Sequence, residues 1–132
     1  AEMWFPGEAP AFVKTDPELA EVFGNFAFDE VQRYGKLDVK TRVLVTMASS
    51  LAQQAAATYE MTLRAALANG VAPVAVREVL YQAVPYVGMA KVVDYIALTN
   101  DFLVKNYGSR SKKGEFLHFE LSHNALNRKP QK

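Results

Sequence analysis

Apolar residues recur at helical spacing through most of this chain. Over residues 37–70, LDVKTRVLVTMASSLAQQAAATYEMTLRAALANG, Leu44, Ala48, Leu51 and Ala55 fall at i, i+4, i+7 and i+11, and Tyr59, Leu63, Ala66 and Gly70 continue the stripe. The stretch has no Pro, no Gly before its last residue, and consists mostly of strong helix formers. One straight helix of this length would run roughly 50 Å, more than a small domain covers, so a break is expected near residues 53–56. The small side chains of Ala55, Ala56 and Ala57 would let the two resulting helices approach closely there.

The flanking pattern predicts further helices. Asp16 followed by Pro17 reads as an N-cap with proline at the first helical position, and Glu18 and Glu21 suit the positive end of the helix dipole. Leu19, Val22, Phe23 and Phe26 form the apolar face of that helix, and Tyr34 with Gly35 marks its end. Phe26 and Phe28 are either core rings or part of a pocket wall. Asp38 caps the central helix, with Arg42 within reach at i+4. Asn69 and Gly70 end the next helix, and Pro73 opens another with Val76, Val79, Leu80 and Ala83 as its stripe, which Pro85 is expected to end or kink. Residues 89–106 carry Val92, Ile96, Thr99 and Leu103 on one side, with Gly108 as a stop. Trp4, Phe5, Pro6, Gly7 and Pro10 make an irregular lead-in whose aromatics are expected to lie over the body.

Composition changes at SRSKKG, which suggests a helical domain over residues 1–108 and a basic arm over 109–132. In the arm, FLHFELSHNALNRK fits strand alternation and helical spacing equally, and docking on a neighbouring subunit is one role for it. Residues 1–104 hold eight Lys and Arg against twelve Asp and Glu, net −4, while 105–132 hold seven against two, net +5. A short basic terminus is read as a solvated extension, so nucleic acid is not expected as a partner.

With 132 residues, half of them hydrophobic, the chain can bury one core. The absence of Cys excludes disulfides and thiolate chemistry. His118 and His123 are five apart, off a common helical face, so no metal or other cofactor is expected. No apolar run reaches the ~20 residues that cross a bilayer, and the acidic start AEMWFPGEAP does not read as a signal peptide, so a cytoplasmic, membrane-free protein is expected.

LDVKTRVLVTMA, LRAALANGV and VREVLYQAVPYVGMAK, with their spacing, resemble the carboxymuconolactone decarboxylase and alkylhydroperoxidase-like family over residues of about 16–104. The resemblance implies an all-α helical bundle that forms a homo-oligomer, a trimer or hexamer. It implies a lyase acting on a small carboxylated lactone or related organic acid from aromatic compound degradation. It also places Val43 where decarboxylases carry a Glu and Thr62 where they carry a His. The peroxidase Cys pair would fall at Ala55 and Thr58.

Loss of carbon dioxide leaves an enolate that must be protonated, so a decarboxylase site needs an acid and a cation beside the oxygens. Arg42 and Tyr86, with Tyr59 or Glu60, are the candidates for catalysis. Arg42 either pairs with Asp38 or binds a substrate carboxylate, and Tyr86 is either a proton donor or a packed ring. Val43, Met47, Ser50, Thr58 and Thr62, with Tyr86, are expected to line a small cleft with Arg42 at its rim; Thr58 and Thr62 alternatively bond back to their own helix. Because Val43 and Thr62 cannot exchange protons, a non-catalytic ligand-binding or scaffold member of the family is the competing function.

Overall fold

The computed structural model describes residues 11–107, which are helical with no strand. In chain order they form α1 (Phe12–Thr15), α2 (Pro17–Gly24), a π-helical turn (Asn25–Glu30), α3 (Val31–Tyr34), α4 (Val39–Ala52), α5 (Ala56–Ala68), α6 (Pro73–Val87) and α7 (Met89–Tyr107). The lead-in before residue 11 and the arm after 108, with both His residues, lie outside the described residues. None of the described helices is long and apolar enough to cross a membrane.

The body is a bundle of α4 to α7, in which α4 packs on α5 and α6, and α7 packs on α6 and α5. Its core joins Val43, Met47 and Leu51 of α4 to Tyr59, Leu63 and Ala66 of α5, Val76 and Leu80 of α6, and Val92 and Tyr95 of α7. Fully burying each larger side chain contributes about 1.5–3 kcal/mol. The buried stripe of α4 is therefore Val43, Met47, Ser50 and Leu51, rotated from the expected Leu44, Ala48 and Leu51; Leu44 is only half-buried. On α5 to α7 the expected core residues Tyr59, Leu63, Ala66, Val76, Leu80, Val92, Thr99 and Leu103 are buried, while Val79, Ala83 and Ile96 are half-buried.

The break between α4 and α5 falls where it was expected. α4 ends in a Schellman turn: Gln54 N–H donates to Leu51 O at 2.9 Å and Ala55 N–H to Ser50 O at 3.0 Å. That geometry needs a left-handed residue after the cap, and Gln54 supplies it at φ 56°. α5 closes the same way, through Gly70 N–H to Leu67 O at 3.1 Å and Val71 N–H to Ala66 O at 2.9 Å. There the left-handed position is Gly70, φ 79°.

Three expectations change. Pro85 does not end α6 but sits inside its last turn, where only one intrahelical donor is missing, and Gly88 at φ 96° makes the stop. Asp16 and Asp38 occupy N-cap positions without side-chain capping bonds; Asp16 Oδ2 instead accepts from Thr15 Oγ1 at 2.6 Å. The described residues do not cover the apolar face expected for the first long helix: Leu19, Val22 and Phe23 of α2 and Phe26 of the π turn are all exposed.

Candidate functional site

A cleft of about 600 Å³ opens where α1, α2, the π turn and α3 meet the first turns of α4 and α5. The N-terminal wall is aromatic, with Phe12, Phe23, Phe26 and Phe28, extended by Val31 and by Leu37 of the linker. The body side presents Arg42, Val45 and Thr46 from α4 and Ala57, Thr58 and Met61 from α5. Those spacings are i, i+3, i+4 and i, i+1, i+4, a single face of each helix, one residue round from the core face that carries Val43, Met47, Tyr59 and Thr62.

Among the described residues, Arg42 is the one formally charged side chain in this lining. Its Nη2 donates to Gly35 O at 2.7 Å, so the linker after α3, and not Asp38, holds the guanidinium. A Cβ at Gly35 would meet Nη2 at 3.4 Å, an ordinary van der Waals contact, so the bond uses the carbonyl and does not depend on the glycine. A guanidinium has five N–H donors, so one bond to Gly35 leaves a fork to offer to an anion. Thr46 is occupied by its own helix, Oγ1 donating to Arg42 O at 2.9 Å. Thr58 stands in the first turn of α5, which has no side-chain N-cap, so the positive end of that helix dipole adds to the field of Arg42.

The profile of the Carboxymuconolactone decarboxylase family matches residues 17–101. The chain belongs to the carboxymuconolactone decarboxylase family. No curated protein and no solved structure matches it. Val43 and Thr62 are both fully buried. Thr62 Oγ1 donates back to Tyr59 O at 2.9 Å and Ser50 Oγ to Met47 O at 2.9 Å, which occupies both hydroxyls within their own helices.

The predicted site residues therefore separate into three groups. Arg42 and Thr58 come together in the cleft. Val43, Met47, Ser50 and Thr62 pack in the core and do not line it, because the core claims the α4 and α5 faces they occupy. The remaining proton-donor candidates lie elsewhere. Tyr59 is fully buried, its hydroxyl 2.7 Å from Thr99 Oγ1 and its ring edge-on to Tyr95 at 5.0 Å. Burial pushes its pKa up to about 12, against the lowering effect of the Thr99 hydrogen bond, with Tyr95 adding a smaller rise. Glu60 accepts from Arg64 Nη2 at 2.7 Å, and that guanidinium also stacks over Phe102 at 5.1 Å. Tyr86 is 90% exposed, beside a second groove of about 490 Å³ between α4 and α6 that includes Leu44, Ala48 and Val79.

Sequence reasoning did not name Val45, Thr46 and Met61, and it placed its cleft on the adjoining face of α4, through Val43 and Met47. The available signal was the grouping of Arg42, Val45 and Thr46 at i, i+3 and i+4. Among the described residues no group of His, Cys, Asp or Glu could hold a metal ion.

Proposed function

We propose that this chain is an organic-acid-binding member of the carboxymuconolactone decarboxylase family, with Arg42 as the carboxylate anchor and no proton-transfer pair in the protomer's cleft. The observation that carries this reading is Arg42 as the single charged group that the described residues bring to a lining otherwise apolar, hydroxyl-bearing or, at Gln32, amide. A carboxylate in such a cleft meets one planar fork and sheds little competing charge. Decarboxylation of a small carboxylated lactone is the second reading, favoured by family membership. It needs an acid at the enolate carbon, and Tyr59, Glu60 and Tyr86 are placed away from the cleft in the protomer. Self-association as a trimer or hexamer accompanies the proposal, supported by Leu19 and Val22 of α2, which the described residues leave exposed outside the cleft.

The test is a calorimetric titration with small aromatic and lactone acids, alongside measurement of carbon dioxide release. Binding that depends on Arg42 without turnover supports the acid-binding reading. Release of carbon dioxide at enzymic rates would replace it with the lyase reading, and absence of binding by every acid would reject it.

A further inference from the structure

We infer that the acid taken by the Arg42 cleft is an amphiphilic monocarboxylate, with one carboxylate on the guanidinium and an unbranched apolar body laid against the phenylalanine wall. This rests on the acid-binding reading above and narrows it. The cleft is about 600 Å³, the size that encloses a drug-sized molecule more than a compact lactone. Among the described residues it offers one cation, Arg42; the other polar side chains of the lining are Gln32, Thr46 and Thr58, while Phe23, Phe26, Phe28 and Met61 supply no donor for a second anionic group laid against them. A second carboxylate would lose its water against those side chains without a partner, which is strongly unfavourable. Each methylene of an apolar body, in contrast, gains from leaving water.

Within the aromatic wall Phe28 also packs against the core, whereas Phe23 and Phe26 remain exposed on the cleft side. The π-helical turn at Asn25–Glu30 carries Phe26 and Phe28 into the cleft together with Phe23 of the preceding helix. π-helical insertions are rare and concentrate at functional sites. Here the insertion coincides with the wall that faces the one guanidinium.

The experiment uses the full chain at neutral pH and titrates butanoate, hexanoate, octanoate and octanedioate by calorimetry, with sedimentation of the same samples. Affinity is expected to rise about fourfold per methylene from butanoate to octanoate, the factor that follows from burying one CH₂. Octanedioate should bind at least about tenfold more weakly than octanoate, the loss set by an unpaired buried carboxylate. Arg42→Met should weaken octanoate, and Ala27→Trp, which fills the wall, should reduce octanoate to the level of butanoate. If butanoate and octanoate bind alike through Arg42, acid binding stands and the amphiphilic proposal falls. Equal affinity for octanedioate and octanoate, or octanoate binding indifferent to Arg42→Met, overturns it too. Dissociation of an oligomer on adding octanoate would assign the wall to a second copy of the chain and likewise overturn it. If no acid binds, the parent reading fails and takes this one with it.

Discussion

Phe23 and Phe28 meet edge to face, with ring centroids 5.8 Å apart and planes at 89°, although five residues separate them. In an α-helix, positions i and i+5 diverge around the axis, since neighbours on one face are three or four apart. The π turn brings them together: its wider register runs i to i+5, as in Val31 N–H donating to Phe26 O. Deleting Ala27 should restore α-helical register and take Phe28 off the cleft wall. Helix content by circular dichroism is expected to hold while acid affinity falls by about tenfold or more, as when a buried aromatic contact is removed. Unchanged affinity in the deletion variant would show that the rings do not touch the ligand.

Replacing Arg42 separates charge from shape. Arg42→Met should weaken acid binding by about 1.5–3 kcal/mol, roughly ten- to a hundredfold, the usual worth of hydrogen bonds to a charged group. Arg42→Lys should recover only part of this, because an ammonium lacks the planar fork. Calorimetry with both variants checks the order wild type, Lys, Met.

Tyr59 should govern alkaline stability. Its pKa in the fold is about 12, above the ordinary 10.0, so the fold favours the protonated phenol. That stabilisation is complete below the unfolded-state value and disappears as pH rises through the folded-state value. At full strength it amounts to roughly 3 kcal/mol, from about two pKa units. Denaturant unfolding measured from mildly to strongly alkaline pH should show this loss in the native chain, and Tyr59→Phe should flatten it. At neutral pH the Phe variant should lose about 1 kcal/mol, one buried hydrogen bond, because Thr99 Oγ1 still bonds Tyr95 O at 2.7 Å.

Gln54 is a non-glycine residue at a left-handed position. The strain of that conformation, about 1–2 kcal/mol for an L-residue, exceeds the extra chain entropy of glycine, about 0.5–1 kcal/mol. Gln54→Gly and Gln54→Ala both lose the Gln54 Nε2–Leu51 O bond of 2.8 Å, about 0.5–1.5 kcal/mol, so Gln54→Gly should stay within about 0.5 kcal/mol of the native chain while Gln54→Ala, which keeps the strain, should be clearly less stable. Urea midpoints of the two variants decide it.

Self-association is the last expectation to measure. Sedimentation at micromolar concentration should give a trimer or hexamer, and removing residues 109–132 should weaken it while leaving the protomer's melting temperature nearly unchanged. A stable monomer would show that the exposed apolar residues of α2 are tolerated in water.

The hairpin of α4 and α5 was legible because its break is written locally, as a run of strong helix formers too long for one helix; the Ala run beside Gln53 is not tightly packed there, since Ala56 and Ala57 are exposed. Val76 and Leu80 were legible because α6 has a single apolar stripe. α4 has more than one. Val43, Leu44, Val45, Met47, Ala48 and Leu51 satisfy two overlapping helical faces, and only packing against Tyr59 and Leu63 selects the one through Val43. The cleft inherits that ambiguity, since Arg42 stands one position away. Its opposite wall depends on a π turn, which periodicity at 3.6 residues cannot register.

The Arg42–Gly35 bond also makes the linker a mechanical partner of any anion in the cleft. The same guanidinium that would grip a carboxylate already tethers the chain between α3 and α4, so occupancy and tether share one rigid plane of donors. By thermodynamic reciprocity, an anion that orders the guanidinium stiffens the α2–α3 wall, and whatever stiffens that wall raises affinity for the anion. The wall and the anchor are thus two ends of one lever, with Gly35 as its fulcrum.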